Sequence, residues 1–238
     1  MLTPTEPGAG AVPRRDPALA ALHLMALTSP ALPVGAFAYS QGLEAAVEAG
    51  LVRDEASADA WILGLLGSVQ ARLDVPRLAR MYAAFARRDP EAALRESARL
   101  LAGRESRELQ DEDIAQGQAL GRLLRDLGVE GGAVLAAHAD TTWACAFARA
   151  ATHFGIGLAE ASSGYLFAWA TSQVAAAVKL VPLGQTSGQR ITLRAIAAVP
   201  AAVTFGLALD DAEIGAAAPV LACLSAQHET QYTRLFRS

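Results

Sequence analysis

Cysteine is almost missing from this sequence. The two present, Cys145 and Cys223, cannot build a disulfide framework and suit a reducing compartment. Lysine is scarcer still: Lys179 stands alone among 20 basic residues, the rest being Arg. Charged residues make up only 18% and aromatics 6%, and 24 acidic side chains leave a net charge of −4. That balance argues against a nucleic-acid partner, because phosphate binding needs a concentrated basic surface. The N-terminus, MLTPTEPGAGAVPRRD, has no apolar core of the kind that directs secretion. The uncharged stretch from Ala195 to Leu209 is short for a membrane span and carries Pro200, so it reads as a core helix. A cytoplasmic protein that engages no membrane is the expectation. β-Branched runs are also scarce. No segment alternates convincingly, and no paired runs flank an Asn-Gly or Asp-Gly turn, which excludes a sheet.

What is abundant points the other way. Over 238 residues, 53% are apolar, enough to close a core and too many for global disorder. Alanine, the best helix former, occurs 54 times. The fold class expected is all-α, a single compact bundle of about ten helices. Residues 1–16, rich in Pro and Gly, read as a disordered tail, 17–226 as the helical domain and 227–238 as a partner-binding tail. Helices are predicted from Pro17 to Ala26, with Leu19, Leu22 and Met25 at helical spacing, and from Gln41 to Ala49 with Ser40 as its cap. Asp54 or Ser57 caps the next, in which Trp61, Leu65, Val69 and Leu73 recur every four residues. Further helices are expected over Val75–Arg88, Glu91–Ala102, Ser106–Leu127, Ala133–Phe154 and Ala159–Val181, with a short one near Thr192–Ala198 and a last from Asp210.

Reactive chemistry is hard to find. Gly184-Gln185-Thr186-Ser187-Gly188-Gln189 lacks the Lys-Ser/Thr of a phosphate loop and reads as a helix end and turn. His228-Glu229-Thr230-Gln231-Tyr232 opens like a zinc-protease helix, but Tyr232 replaces the second His. His138 and Cys145, seven apart, share a face of one predicted helix without completing a metal shell. Glu108, Asp111, Glu112 and Asp113 cluster on one helix and read as a solvated face. No catalytic residue and no metal site are assigned, which favours a protein that works by binding.

Three segments look over-specified for a plain bundle. Ser29-Pro30-Ala31-Leu32-Pro33-Val34-Gly35 is a stiff turn presenting Phe37 and Tyr39, rings that suit a contact surface or plug the bundle. Lys179 precedes the Gly/Gln-rich stretch with Gln185, Gln189 and Arg190. The end, His228 to Ser238, packs Tyr232, Arg234, Leu235, Phe236 and Arg237 into one short run, the composition of an interface hot spot that orders when a partner covers it.

Together these segments resemble the urease accessory protein UreF family. The resemblance rests on Ser29, Pro30, Leu32, Pro33, Gly35, Phe37, Tyr39, Ser40, Gly42, Leu43, Glu44, Ala46 and Val47 near the start. It continues through Glu105, Arg107, Gln116 and Gly117, then Pro182, Leu183, Gly184, Gln185, Gln189 and Arg190, and ends on His228–Ser238. One departure is Ala226-Gln227, where relatives often carry Met-Arg. The resemblance implies an all-α, cytosolic, non-enzymatic homodimer with no cofactor of its own. It implies binding to UreD (also called UreH) and recruitment of the GTPase UreG, which holds GTP, so that nickel reaches apo-urease. On that basis Lys179, Gln185, Gln189 and Arg190 are candidates for the UreG face. Tyr232, Arg234, Leu235, Phe236 and Arg237 are candidates for the UreD face, and Tyr39 and Glu44 for the dimer centre or the path between partners. The alternative is a nickel metallochaperone using His138, Cys145 or His228.

Overall fold

The computed structural model describes residues 16–216 and 218–238. Of the expected N-terminal tail only Asp16 is among them, and it caps the first helix by accepting from the amides of Ala18 and Leu19. The chain is all-α, and the helices are α1 (Pro17–Leu27), α2 (Leu43–Glu48), α3 (Glu55–Leu65), α4 (Val75–Ala86), α5 (Pro90–Ala102), α6 (Arg107–Asp126), α7 (Gly132–Ala137), α8 (Trp143–His153), α9 (Leu158–Leu180), α10 (Gln185–Ala208) and α11 (Pro219–His228). Local chemistry sets the starts. Asp54 makes a capping box with Ser57, Asp89 precedes Pro90 at the first turn, and Ser106 accepts from Leu109 N.

The core is built of Leu and Ala with α8 and α9 at its centre. Phe147, Leu166, Ile156, Leu78 and Met81 are fully enclosed, and seven of the eleven residues of α8 are buried. Small side chains let backbones close in. A Cβ on Gly117 of α6 would stand 2.3 Å from the Thr141 carbonyl oxygen, and one on Gly206 of α10 would stand 2.5 Å from that of Ala71.

Between α3 and α4 the chain stays helical but widens into a π-helix, Leu66–Asp74. Val75 N–H donates five residues back, to the Gln70 carbonyl. Steps of four residues drift by about 40° each in an α-helix. The wider turn cancels that drift, so Leu65, Val69 and Leu73 stay on one buried face. Pro76 has no N–H to return, and the Arg72 carbonyl is taken instead by Gly215 N at 3.2 Å.

Several expectations are corrected. The helix expected over Ala133–Phe154 is two, because Thr142 is held by Ser97, both through its hydroxyl (2.8 Å) and its amide (3.0 Å), and caps α8 by accepting from Cys145 N. His138 therefore lies in the extended residue after α7, and Cys145 on α8. Gly184–Gln189 is not a turn, since α10 starts at Gln185, and the short helix near Thr192 is the middle of α10. Pro200 sits inside α10, which is the described helix long and apolar enough to cross a membrane; it packs here against α9, α3 and the π-helix. Ser40 is not the residue next to α2; Gly42, at φ 76°, is. On α1 the apolar stripe of Leu19, Leu22 and Met25 faces outward, and Leu27 is the buried residue.

Close approach at Gly117 is testable. Gly117→Ala should cost about 2–3 kcal/mol and lower Tm by about 5–10 °C. Gly64→Ala, where a Cβ meets nothing within 4 Å, should leave stability unchanged or raise it by up to about 1 kcal/mol. Thermal unfolding of both variants checks the contrast.

Candidate functional site

The inner face of α6 carries Glu108, Glu112, Asp113 and Gln116 in the same stripe as Leu109, Leu120 and Leu124. Glu112 and Asp113 are buried, so the solvated acidic face expected from sequence is corrected; of the four acids only Asp111 is exposed. Buried carboxylates need donors or cations, and each of these has them.

The deeper layer is an ion network. Arg104 donates to Asp74 at 2.6 and 3.0 Å and to Asp113 at 2.8 Å. The Tyr165 hydroxyl donates to Asp74 at 2.8 Å, and the Trp143 amide donates to Asp113 at 2.8 Å. Burial alone would lower the Arg104 pKa, but Asp74 and Asp113 outweigh it and hold the guanidinium well above its usual value. Burial raises the Asp113 carboxyl, with Arg104 opposing. The same burial, reinforced by Asp74, holds the Tyr165 phenol well above its ordinary range.

The outer layer belongs to the chain's last ten residues, 229–238, here called the strap. They lie as an irregular segment across α2, α6 and the loop before α2. Glu44 accepts from Leu235 N at 2.7 Å, from Phe236 N at 2.9 Å and faces His228 Nε2 at 3.1 Å. His228 Nδ1 faces Glu108 at 2.8 Å, and Arg234 donates to Glu108 at 2.9 Å. Arg237 N donates to the Ala38 carbonyl at 2.8 Å. Ser40 N donates to the Ser238 carbonyl at 2.7 Å, and the Ser40 hydroxyl donates to the same oxygen. Glu112 joins the two layers. It accepts from Gln41 (2.8 Å), Gln116 (2.9 Å) and the Ser238 hydroxyl (2.8 Å), and burial pushes its carboxyl up to about 7. Gln41 has a positive φ of 54°, uncommon for a side-chain-bearing residue. Its amide spans from Glu112 to the indole N–H of Trp169, which donates to it at 2.7 Å.

Beneath the network a cavity of about 90 Å³ is lined by Gln70, Asp74, Arg104, Glu112, Trp169 and Gln173. The buried Oε1 atoms of Gln70 and Gln173 have no hydrogen-bond partner among the described residues.

The sequence model of the UreF family matches residues 52–196. A urease accessory protein UreF from Alkalilimnicola ehrlichii is 46% identical over 223 residues, covering 94% of this chain and 98% of that protein. Its counterpart in Chromohalobacter salexigens is 47% identical over 235 residues, 98% of this chain and 99% of that one. Brucella anthropi has a urease accessory protein UreF 2 that is 47% identical over 227 residues, 95% of this chain and all of its own length. The chain belongs to the UreF family.

The first and last UreF-like motifs converge in space. The first supplies Ser40 and Glu44, the last supplies His228, Phe236 and Ser238, and their contacts are with each other. Lys179 joins them, its ammonium 5.4 Å from the Phe236 ring centre. The strap, expected to order only beneath a partner, is already packed on its own chain. His228 and Phe236 are buried there, while Tyr232 and Leu235 stand exposed beside Arg234 and Arg237. Phe37 is 70% exposed, so it does not plug the bundle, and Tyr39 is half-buried. Gln185, Gln189 and Arg190 lie exposed on the first turns of α10, where Arg190 pairs with Glu55 of α3 at 3.5 Å rather than with the strap. Of the three metallochaperone candidates, Cys145 is enclosed, its thiol pushed up to about 12 by burial. His228 is committed to two carboxylates, and His138 Nδ1 accepts from Asp140 N at 3.2 Å. The structure does not bring the three together.

Sequence reasoning missed Asp74, Arg104, Asp113 and Tyr165 altogether as a unit. The available signal was the helical stripe of α6, which runs unbroken from Leu109 to Leu124 only if the acids between are counted as inward.

Arg104→Met should cost about 3–5 kcal/mol near neutral pH, because it strands two buried carboxylates. The deficit should shrink as pH falls and the Asp113 carboxyl, raised by burial, takes up a proton. Urea unfolding at about pH 7.5 and about pH 5 measures both.

Proposed function

We propose that this chain is a non-catalytic scaffold in urease maturation, coupling UreD and UreG so that nickel reaches apo-urease. Its family membership supports the maturation role, since the relatives are named urease accessory proteins. The observation that carries the scaffold reading is the strap. It is pinned by its backbone, by buried Phe236 and by His228 at the end of α11, so that Tyr232, Leu235, Arg234 and Arg237 are displayed on a preformed surface. Aromatic, aliphatic and Arg side chains held in place lose little entropy on binding, which suits them to anchor UreD.

UreG is assigned to Lys179 and to the start of α10, with Gln185, Gln189 and Arg190. A scaffold gates a GTPase only by preferring one of its nucleotide states, so these contacts must differ between the GTP and GDP forms. The working unit is a cytoplasmic homodimer that presents two copies of each face. GTP and nickel are handled by the assembled complex, with nickel as cargo.

Co-expression with UreD and UreG, followed by pull-down and sizing, should yield one complex containing all three. Deleting residues 228–238 should abolish UreD capture while the helical bundle stays folded by circular dichroism. Full UreD capture by a folded truncation would refute the assignment of the strap.

A further inference from the structure

The cleft under the strap holds more acidic than basic side chains, and a proton on His228 narrows that excess. Its ring is fully buried, with Glu44 of α2 at 3.1 Å from one nitrogen and Glu108 of α6 at 2.8 Å from the other. Only the imidazolium donates from both nitrogens; a neutral ring turns a lone pair toward one of the carboxylates. A third carboxylate, Glu112, sits one turn further along α6 under Ser238. Against these three, the cleft offers Arg234, whose side chain is 40% exposed, and His228 itself. Lys179 of α9 addresses the Phe236 ring, and Arg104 is occupied by Asp74 and Asp113. Glu48 on α2 and Glu229 after α11 are exposed and add no positive charge.

We propose that the strap is a proton-controlled latch: it closes on Glu44, Glu108 and Glu112 when His228 is an imidazolium, and loosens as the pH rises and that proton is lost. Deprotonation leaves three carboxylates facing one half-exposed guanidinium in a site shielded from water, where unbalanced charge is costly.

Glu112 pushes in the same direction. Burial raises its carboxyl to about 7, so the closed cleft favours its neutral form. A group whose pKa is raised in the closed state stabilises closure at low pH and loses that contribution as pH climbs through the raised value. Ionisation of Glu112 therefore adds a negative charge to the cleft as pH climbs. Opening would uncover Phe236 and His228 and free the three carboxylates for other cations. The inference concerns the chain alone and stands or falls independently of which partners bind it.

Amide hydrogen exchange of the full-length protein, read by mass spectrometry over residues 229–238, tests the latch. After correction for intrinsic exchange, protection at Leu235 and Phe236 should fall at least about tenfold between about pH 6 and about pH 9, while α8 amides keep theirs. His228→Gln should show weak protection whose remaining fall with pH is smaller than in the parent protein, since Glu112 still ionises. Glu112→Gln keeps an oxygen for the Gln41 and Gln116 amides, turns an N–H to the Ser238 hydroxyl, which can accept it, and cannot ionise; its protection should persist to higher pH than in the parent protein. Protection in the parent protein that is flat across the range would overturn the proposal. So would a fall that is unchanged in Glu112→Gln, even if His228→Gln fails to fold.

Discussion

Acid buried on α6 is the constraint from which much of this molecule follows. Asp113, Glu112 and Glu108 enter the interior on the helical stripe that also carries Leu109 and Leu120. A carboxylate out of water must be matched, and the matches come from far along the sequence. Arg104 reaches Asp113 and Asp74, the latter at the end of the π-helix. His228 and Arg234 reach Glu108 from the last residues of the chain. Gln41 and Ser238 reach Glu112 from opposite ends of the sequence. One helix thereby organises the loop before α2, the π-helix and the strap into a single polar seam through an otherwise alanine-rich bundle.

The fold was legible where local chemistry decides it. Asp89-Pro90 marks the start of α5, and Ser106 marks that of α6, because caps act over three residues and need no tertiary context. The four-residue spacing of Trp61, Leu65, Val69 and Leu73 was visible as a stripe, though the π-helix that straightens it was not. The failures have tertiary causes. Nothing local in Ala133–Phe154 shows that Ser97 will hold Thr142 and break the helix there. Nothing local distinguishes exposed Asp111 from buried Glu112, since their difference is the side of α6 that other elements cover.

The site was legible in its ends and not in its middle. The motifs around Glu44 and His228 singled themselves out, and the structure joins them directly. What sequence could not show is the direction in which they face. His228 and Phe236 turn inward and fix the strap, and Tyr232 and Leu235 turn outward. Gly117 is similar: its backbone lies bare against Thr141, where a Cβ would stand 2.3 Å from the carbonyl oxygen.

The connection from α10 to α11 is stitched to α4 and the segment before it. Arg80 grips Asp211 at 2.6 Å and the Leu209 carbonyl at 2.8 Å, and Gly215 occupies the carbonyl that Pro76 leaves vacant. Fraying from the C-terminus thus meets a firm stop before it reaches the long helices. A pull on the strap is borne first by its own contacts with α2 and α6 and next by these stitches, ahead of the long helices.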